Sequence, residues 1–185
     1  MAPSLRTRRL LLSPVTETDV PWLTAHWNTA EVGRFLWDGQ PVAEALAREQ
    51  VQRSLRDFQT RGFGLFLVRR HSDGAPLGFA GLRFVDELSA PELLYSIEPS
   101  AWRTGVATEA GAACLHFGFG ELGLERIVAG VDAPNRASSR VLEKLGMRPY
   151  RVVMLGDVEA HYSEASRAEL ARRFPVEALG YERVA

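Results

Sequence analysis

The chain has 185 residues, a formal net charge of −1 at pH 7 and a hydrophobic fraction of 46%. This length fits one domain with a sizeable core, and the small net charge argues against a nucleic-acid binder held by a broad basic surface. No apolar run approaches the ~18 residues of a membrane span, and the basic N-terminus lacks the apolar stretch of a secretory signal. The single cysteine, Cys114, excludes an intramolecular disulfide and a cysteine-rich zinc site. We therefore expect a cytoplasmic protein without a metal site.

Residues 1–99 are predicted to form one strand, three helices and then three strands. A helix over 16–28 has Pro21 in its first turn, and a long helix over 41–62 ends at Gly62, because proline is tolerated at a helix start and glycine favours a helix end. Strands are predicted over 8–14, 63–70, 76–85 and 91–99, and a short helix over 29–37.

Residues 100–185 continue as helix, strand, helix, two strands and helix. The run "RIVAGV" at 126–131 is strongly apolar, as expected for a buried central strand. Helices are predicted up to about Leu122 and over 138–146 and 167–174, and strands over 148–155 and 160–166. The whole chain, 1–185, is therefore predicted to be one mixed α/β domain, with antiparallel strands early and a strand–helix–strand–helix–strand unit late.

The segment "RTGVAT" at 103–108 connects a predicted strand to a predicted helix. The first amides of a helix lack intrahelical partners, and the helix dipole adds partial positive charge there, so such a site favours phosphate. Gly105 allows close approach of a ligand, Thr108 offers a hydroxyl and Arg103 a charge. Neither the P-loop motif nor the glycine-rich dinucleotide motif fits. An ordinary strand-to-helix turn explains this stretch equally well when it is taken alone.

A second motif, "VDAPNRASSRVLEKLGM" at 131–147, follows the buried strand. The Asn135 amide is placed to bond an extended ligand at the strand end, and Ser138 either caps the helix or faces the same cleft. Each residue alone is an ordinary turn or cap residue. Their combination, coming after the loop at 103–108, favours a ligand site.

The segments "YSIEPSAWRTGVATEA" and "NRASSRVLEKLGM" together resemble the GNAT superfamily of acetyl-CoA-dependent N-acetyltransferases. The resemblance is strongest to the branch of ribosomal-protein N-terminal acetyltransferases, and it covers nearly the whole chain. Gly105 and Ala107 match the family pattern, while its leading position is Trp102, which is usual for this branch. Arg103 stands where the branch often has glycine. The resemblance implies the GNAT fold, a mixed and mostly antiparallel central sheet with splayed middle strands, flanked by helices.

The resemblance also implies acetyl-CoA as cosubstrate and a set of residues that bind it. The strand carrying Tyr95 and Ile97 would pair with the pantetheine arm, and Asn135 would contact the arm near the thiol. The pyrophosphate would lie on the loop formed by Trp102, Arg103, Thr104, Gly105, Val106, Ala107 and Thr108.

The implied reaction is direct attack of a neutral amine on the thioester, which benefits from a general base and a general acid. Glu92 matches a common acidic position and is the base candidate, with a solvent-exposed strand-end carboxylate as the alternative. Many relatives place a tyrosine before "EK", where this chain has Leu142. Ser138 is the remaining candidate for the acid that protonates the thiolate, with helix capping as the equal alternative.

The acceptor is expected to be the primary amine of a protein N-terminus or of a small molecule, bound between the first two helices and the loop after residue 155. Phe35, Trp37 and Glu31 are the candidate contacts, and Asp38 is a further carboxylate there, although core packing is the default for the aromatic side chains. The alternative function is a catalytically idle module of the same fold that binds coenzyme A or a protein partner. We expect a bacterial monomer or homodimer with neither nucleic acid nor membrane as partner.

Overall fold

A nine-stranded sheet forms the centre of the protein in the computed structural model, which describes residues 2–184 without the side chains of Asp38 and Leu155. The sheet order is β7-β8-β6-β5-β4-β3-β2-β1-β9. The strands are β1 (Ser4–Arg6), β2 (Leu10–Pro14), β3 (Leu65–Arg70), β4 (Pro76–Val85), β5 (Ala90–Ile97), β6 (Val128–Asp132), β7 (Arg148–Leu155), β8 (Val158–Glu164) and β9 (Glu182–Val184).

Seven helices cover the sheet in the part of the chain that the structure describes. The long helix α3 ends where the sequence predicts, because Gly62 adopts a left-handed conformation with φ of 80°. Pro21 lies in the first turn of α1, where its missing N–H costs nothing. The helices are α1 (Val20–Trp27), α2 (Ala30–Gly33), α3 (Glu44–Arg61), α4 (Val106–His116), α5 (Arg136–Lys144), α6 (Arg167–Arg173) and α7 (Val176–Leu179).

Two apolar layers pack against opposite faces of the sheet. One layer joins α1, α2 and α3 to side chains such as Phe79 and Leu94. The other joins α4, α5 and α6 to side chains such as Leu93 and Ile97. Since successive side chains of a strand point to opposite faces, β5 contributes its odd-numbered residues to the α4 layer and its even-numbered residues to the α1 and α3 layer.

The neighbours β5 and β6 run parallel, whereas all other described strand pairs are antiparallel. Among the described residues, β5 and β6 share one registered pair, Glu92 with Val128. Beyond that pair the two strands diverge, so the sheet opens on the side toward the end of β5. This arrangement confirms the predicted mixed, mostly antiparallel sheet with splayed middle strands.

The structure differs from the predicted elements mainly at the chain ends. The predicted strand over 8–14 corresponds to β2, which follows a turn at Thr7–Arg9, and β1, α7 and β9 were not predicted. Elements of three or four residues are too short to show a hydrophobic period. The helix predicted to reach Leu122 is α-helical up to His116, as α4, and continues as one π-helical turn over Phe117–Glu121. No helix within 2–184 has the length and apolar character needed to cross a bilayer.

Candidate active site

A cavity of about 310 Å³ lies where β5 and β6 part. It extends from the α1 and α3 face of the sheet to the start of α5. Its apolar wall includes Trp27, Phe35, Leu36, Trp37 and Phe79. Its polar lining includes Arg53, Asp57, Arg83, Glu92, Asn135 and Ser138. The cavity therefore combines an aromatic wall with charged groups beside unpaired strand backbone.

The main chain of Tyr95 faces the gap between the strands. Along an antiparallel strand, successive residues direct their N–H and C=O groups alternately toward one neighbouring strand and toward the other. The Glu98 N–H donates to Leu77 O at 2.8 Å, so Glu98 faces β4. The Ile97 carbonyl instead accepts from the Trp102 indole at 2.6 Å. The same alternation turns the N–H and C=O of Tyr95 toward β6, at a position beyond the last registered pair.

The Tyr95 side chain connects β5 to α5 across the gap. Its hydroxyl donates to the Ser138 carbonyl at 3.2 Å. Burial raises the pKa of this phenol, so Tyr95 is neutral and remains a hydrogen-bond donor at physiological pH. The tyrosine therefore fixes the first turn of α5 relative to the end of β5.

The loop at 103–108 leads into the open N-terminal end of α4. Arg103 and Gly105 adopt left-handed conformations with φ of 64° and 87°. The first backbone bond into α4 runs from Glu109 N to Gly105 O at 3.0 Å, so the N–H groups of the preceding residues lie at the open helix end. Those residues are Val106, Ala107 and Thr108.

Glu92 is a buried carboxylate held by a cation. It is 5% exposed, and its Oε2 accepts from Arg83 Nη2 at 2.7 Å and from Arg83 Nε at 3.1 Å. Its Oε1 faces Gly130 of β6. The alternative expectation of a solvent-exposed strand-end carboxylate is wrong, because Glu92 lies inside β5 at the point where β6 joins it.

Asn135, and not Ser138, caps α5. The Asn135 side-chain oxygen accepts from the Ser138 N–H at 3.1 Å, which is the usual bond from an N-cap to the third helical residue. The alternative role of Ser138 as the cap is therefore wrong, because α5 begins at Arg136, two residues before the predicted start. The Ser138 side chain lies in the cavity lining, and Leu142 lies one turn further along the same wall.

Phe35 and Trp37, two of the three predicted acceptor contacts, line the cavity. The Trp37 ring packs 5.6 Å from that of Trp27, and its backbone has a φ of 54°, which is uncommon for a large side chain. Glu31 is exposed and lies outside the cavity lining. The Asp38 side chain lies outside the described residues.

A buried histidine connects α1 to the end of β5. His26 Nδ1 donates to Glu98 Oε1 at 2.7 Å, and Nε2 lies 2.9 Å from Ser96 Oγ. Its ring also stacks on Trp22 at 5.0 Å. Burial lowers the pKa of His26, and Glu98 opposes that shift in part. Glu98 directly precedes the loop at 99–105, so this network fixes the start of the loop.

Sequence reasoning missed Arg83, Arg53 and Asp57. Arg83 lies opposite Glu92 in the pairing of β4 with β5, and a cross-strand charge pair becomes predictable only once that register is known. Arg53 and Asp57 are four residues apart on α3, a spacing that places both on one helix face. Within residues 2–184, no group of three or more histidine, cysteine, aspartate and glutamate side chains is arranged to hold a metal.

Comparisons with known proteins agree with this architecture. The model of the acetyltransferase (GNAT) domain family matches residues 9–148. The uncharacterized N-acetyltransferase YoaA of Bacillus subtilis is 32% identical over 152 residues, which cover 80% of this chain and 84% of YoaA. An acetyltransferase from Agrobacterium tumefaciens has a similar structure, with a TM-score of 0.79 at 23% identity over 90% of this chain and 96% of that one. RimL, a ribosomal α-N-protein acetyltransferase in complex with coenzyme A, gives a TM-score of 0.70 at 17% identity, with coverage of 85% and 94%.

The chain therefore belongs to the GNAT family of acetyltransferases, as the two sequence motifs predict. Members of this family transfer an acetyl group from acetyl-CoA. The structural neighbours share less than 25% identity with this chain, so they show the fold and leave its acceptor to be inferred from the site.

The lowered pKa of His26 predicts a pH dependence of folding stability. The unfolded chain takes up a proton near pH 6.5 and the folded chain only at lower pH. Stability is therefore complete above pH 6.5 and falls as the pH drops toward the folded pKa. In His26→Gln this slope between pH 7 and pH 5 should become flatter, measured by urea unfolding. His71→Gln, at an exposed histidine, is the control and should keep the wild-type slope. Equal slopes in all three proteins would contradict the prediction.

Proposed function

We propose that the protein transfers an acetyl group from acetyl-CoA to a primary amine by direct attack in a ternary complex. The observation that carries this proposal is the gap between β5 and β6, which opens toward the end of β5, the strand that leads to the loop at 103–108, and beside which lies a cavity with an aromatic wall and a buried carboxylate. Acetyl-CoA supplies the activated thioester, and the chain supplies the positioning and the proton transfers.

The loop and the strand edge fit the two parts of coenzyme A. The amides of Val106, Ala107 and Thr108 and the left-handed residues Arg103 and Gly105 offer partial positive charge to a pyrophosphate. The Tyr95 carbonyl would accept from an amide of the pantetheine arm, as it would from a further strand. Ile97 contributes less than expected, because its carbonyl already accepts from Trp102. Trp102 and Thr104 shape the loop through bonds to Ile97 and Ala101.

Glu92 is proposed to accept the proton of the attacking amine. It lies in the cavity, and Arg83 occupies its Oε2 while Oε1 faces β6. The Tyr95 N–H faces the same gap and would donate to the oxygen that gains charge during attack. Ser138 would protonate the leaving thiolate. Asn135 would contact the pantetheine arm through its amide N–H groups, since its oxygen caps α5.

The acceptor amine is proposed to lie against Phe35 and Trp37. A protein N-terminus, as in the ribosomal-protein branch, and a small amine both fit this wall. Glu31 is not part of this proposal, because it lies outside the cavity lining. A catalytically idle, coenzyme A-binding module is the second candidate, and the apolar Leu142 in the cavity wall favours it.

We further propose that residues 1–185 act as one GNAT domain in the bacterial cytoplasm. Pairing of β9 with β1 ties the two ends of the chain to one sheet. The matched relatives named here are bacterial, and burial of the lone thiol, Cys114, raises its pKa and keeps it unreactive.

Release of free thiol from acetyl-CoA, measured over a panel of N-terminal peptides and small amines, tests the proposed reaction. We expect amine-dependent release with at least one acceptor class. For that acceptor, Trp37→Ala should raise KM by about tenfold, the effect of losing one aromatic contact of ~1.4 kcal/mol, and leave acetyl-CoA affinity nearly intact. Binding of acetyl-CoA without release for any amine would favour the idle module. Loss of both affinities in a folded Trp37→Ala variant would contradict the placement of the acceptor.

Gly105→Asp should weaken acetyl-CoA binding by roughly 1–2 kcal/mol, because it adds a negative charge beside Arg9 on the loop proposed to bind the phosphates. Gly105→Asn is the matched control, since asparagine has nearly the same shape and also tolerates a left-handed conformation. Calorimetry on both folded variants measures the difference. Equal acetyl-CoA affinities for the two variants would contradict the proposal that this loop binds the phosphates.

Ser138→Ala and Asn135→Ala should separate catalysis from capping. Ser138→Ala is expected to lower turnover by roughly 10²-fold, at the lower end for general acid–base catalysis, and to leave the thermal midpoint close to that of the wild type. Asn135→Ala should cost ~1 kcal/mol of stability, because it removes the cap of α5. Turnover and thermal midpoint are measured on both variants. Unchanged turnover in Ser138→Ala would exclude that residue as the acid.

A further inference from the structure

Glu109 is a buried carboxylate in the first turn of α4, immediately after the loop at 103–108. It is 9% exposed, and a carboxylate in such a place requires compensating donors. Its Oε1 accepts from Thr7 Oγ1 at 2.6 Å and from the Arg9 N–H at 3.1 Å. Its Oε2 accepts from Arg9 Nε and lies 2.6 Å from Arg9 Nη2. The turn between β1 and β2 therefore supplies all of these donors.

Arg9 also contacts the loop itself. Its Nη1 donates to the Thr104 carbonyl at 3.0 Å, and its Nη2 lies 3.3 Å from the point where a Cβ on Gly105 would be. One guanidinium thus contacts the loop and the helix that follows it. Its planar fork of donors makes this double contact possible.

The bond to Thr104 sets the direction of a loop amide. In a planar trans peptide the C=O of one residue and the N–H of the next point in opposite directions. Because Arg9 holds the Thr104 carbonyl, the Gly105 N–H is directed away from Arg9. The loop therefore presents this amide on the side opposite the guanidinium, between the left-handed residues Arg103 and Gly105.

We propose that Arg9 and Glu109 are positioning residues for the coenzyme A loop and that Thr7 completes their network. They act on the ligand through Thr104 and Gly105, without touching it. The proposal rests on the proposed function, since it assigns the loop to the phosphates of coenzyme A. The alternative is that Arg9 attracts a phosphate of coenzyme A directly. In that case Glu109 would weaken binding, because it partly neutralises the positive charge of Arg9.

Glu109→Gln separates positioning from direct attraction. This variant removes a negative charge behind the loop, so direct attraction predicts equal or tighter binding of coenzyme A. Positioning predicts the opposite, because Arg9 loses its ionic partner and no longer holds the Thr104 carbonyl. We expect affinity to fall about tenfold in Glu109→Gln and in Arg9→Met, the change that corresponds to one charge-assisted hydrogen bond.

The experiment measures coenzyme A affinity by calorimetry and steady-state kinetics for both variants, for Arg9→Lys and for Arg70→Met. Arg70 lines the same surface pocket as Arg9 but pairs with Asp73, so Arg70→Met is a control for loss of one positive charge. Arg9→Lys keeps the charge without the fork and should bind as weakly as Arg9→Met. The KM for acetyl-CoA should rise about tenfold in the Arg9 and Glu109 variants, with kcat and acceptor KM within about twofold of the wild type.

Three outcomes would overturn the proposal. Tighter binding by Glu109→Gln would assign Arg9 to direct attraction. Affinities equal to that of the wild type in Arg9→Lys and Glu109→Gln, each shown to be folded by its thermal midpoint, would remove the network from cofactor binding while leaving the proposed function intact. Failure of the wild-type protein to bind coenzyme A would overturn the proposed function and this inference together.

Discussion

The parting of β5 from β6 is the constraint on which the rest of the site depends. A parallel pair of strands in the middle of a sheet normally continues its hydrogen bonds along both strands. In the described residues, β5 and β6 instead share one registered pair, Glu92 with Val128. The backbone beyond that pair faces a cavity. Because unpaired backbone groups need partners, the gap is suited to an extended ligand that has amide groups of its own.

The surrounding structure keeps the two strands apart. Tyr95 extends from β5 to the first turn of α5, and Trp102 covers the carbonyl at the end of β5. The buried Glu92 and Arg83 pair lies where the strands still touch. Of these contacts, the bond from Tyr95 to α5 spans the gap, so it fixes the spacing of the two sides there.

The loop at 99–105 is fixed at both ends by ionisable side chains. His26 and Glu98 hold its start against α1, and Arg9 and Glu109 hold its end against the turn between β1 and β2. His26 and Glu109 are the buried members of these pairs, and a buried ionisable group costs free energy unless it is paired. These pairs therefore connect the shape of the loop to α1 and to the turn between β1 and β2.

The sequence predicts the parts of the site that are coded locally. The loop was recognisable because Gly105 and the alanine-rich helix are adjacent, and the long helix because its apolar period ends at Gly62. The start of α5 was predicted two residues late, because Asn135 and Ser138 are both good cap residues and only the backbone shows which one caps. The network of Arg9 and Glu109 was not predictable, because its members are 100 residues apart. Its prediction requires the sheet order, which no local pattern contains.

The pairing of β1 with β9 has a consequence for how the loop acquires its shape. Residues 182–184 align with residues 4–6, and Arg6 forms an ion pair with Glu182. The next residue, Thr7, begins the turn that holds Glu109. Closing a contact over such a long stretch of chain is entropically costly, so this edge of the sheet is expected to form late in folding. A ligand that binds only the folded loop stabilises the folded state, so coenzyme A bound there would also stabilise the pairing of β1 with β9.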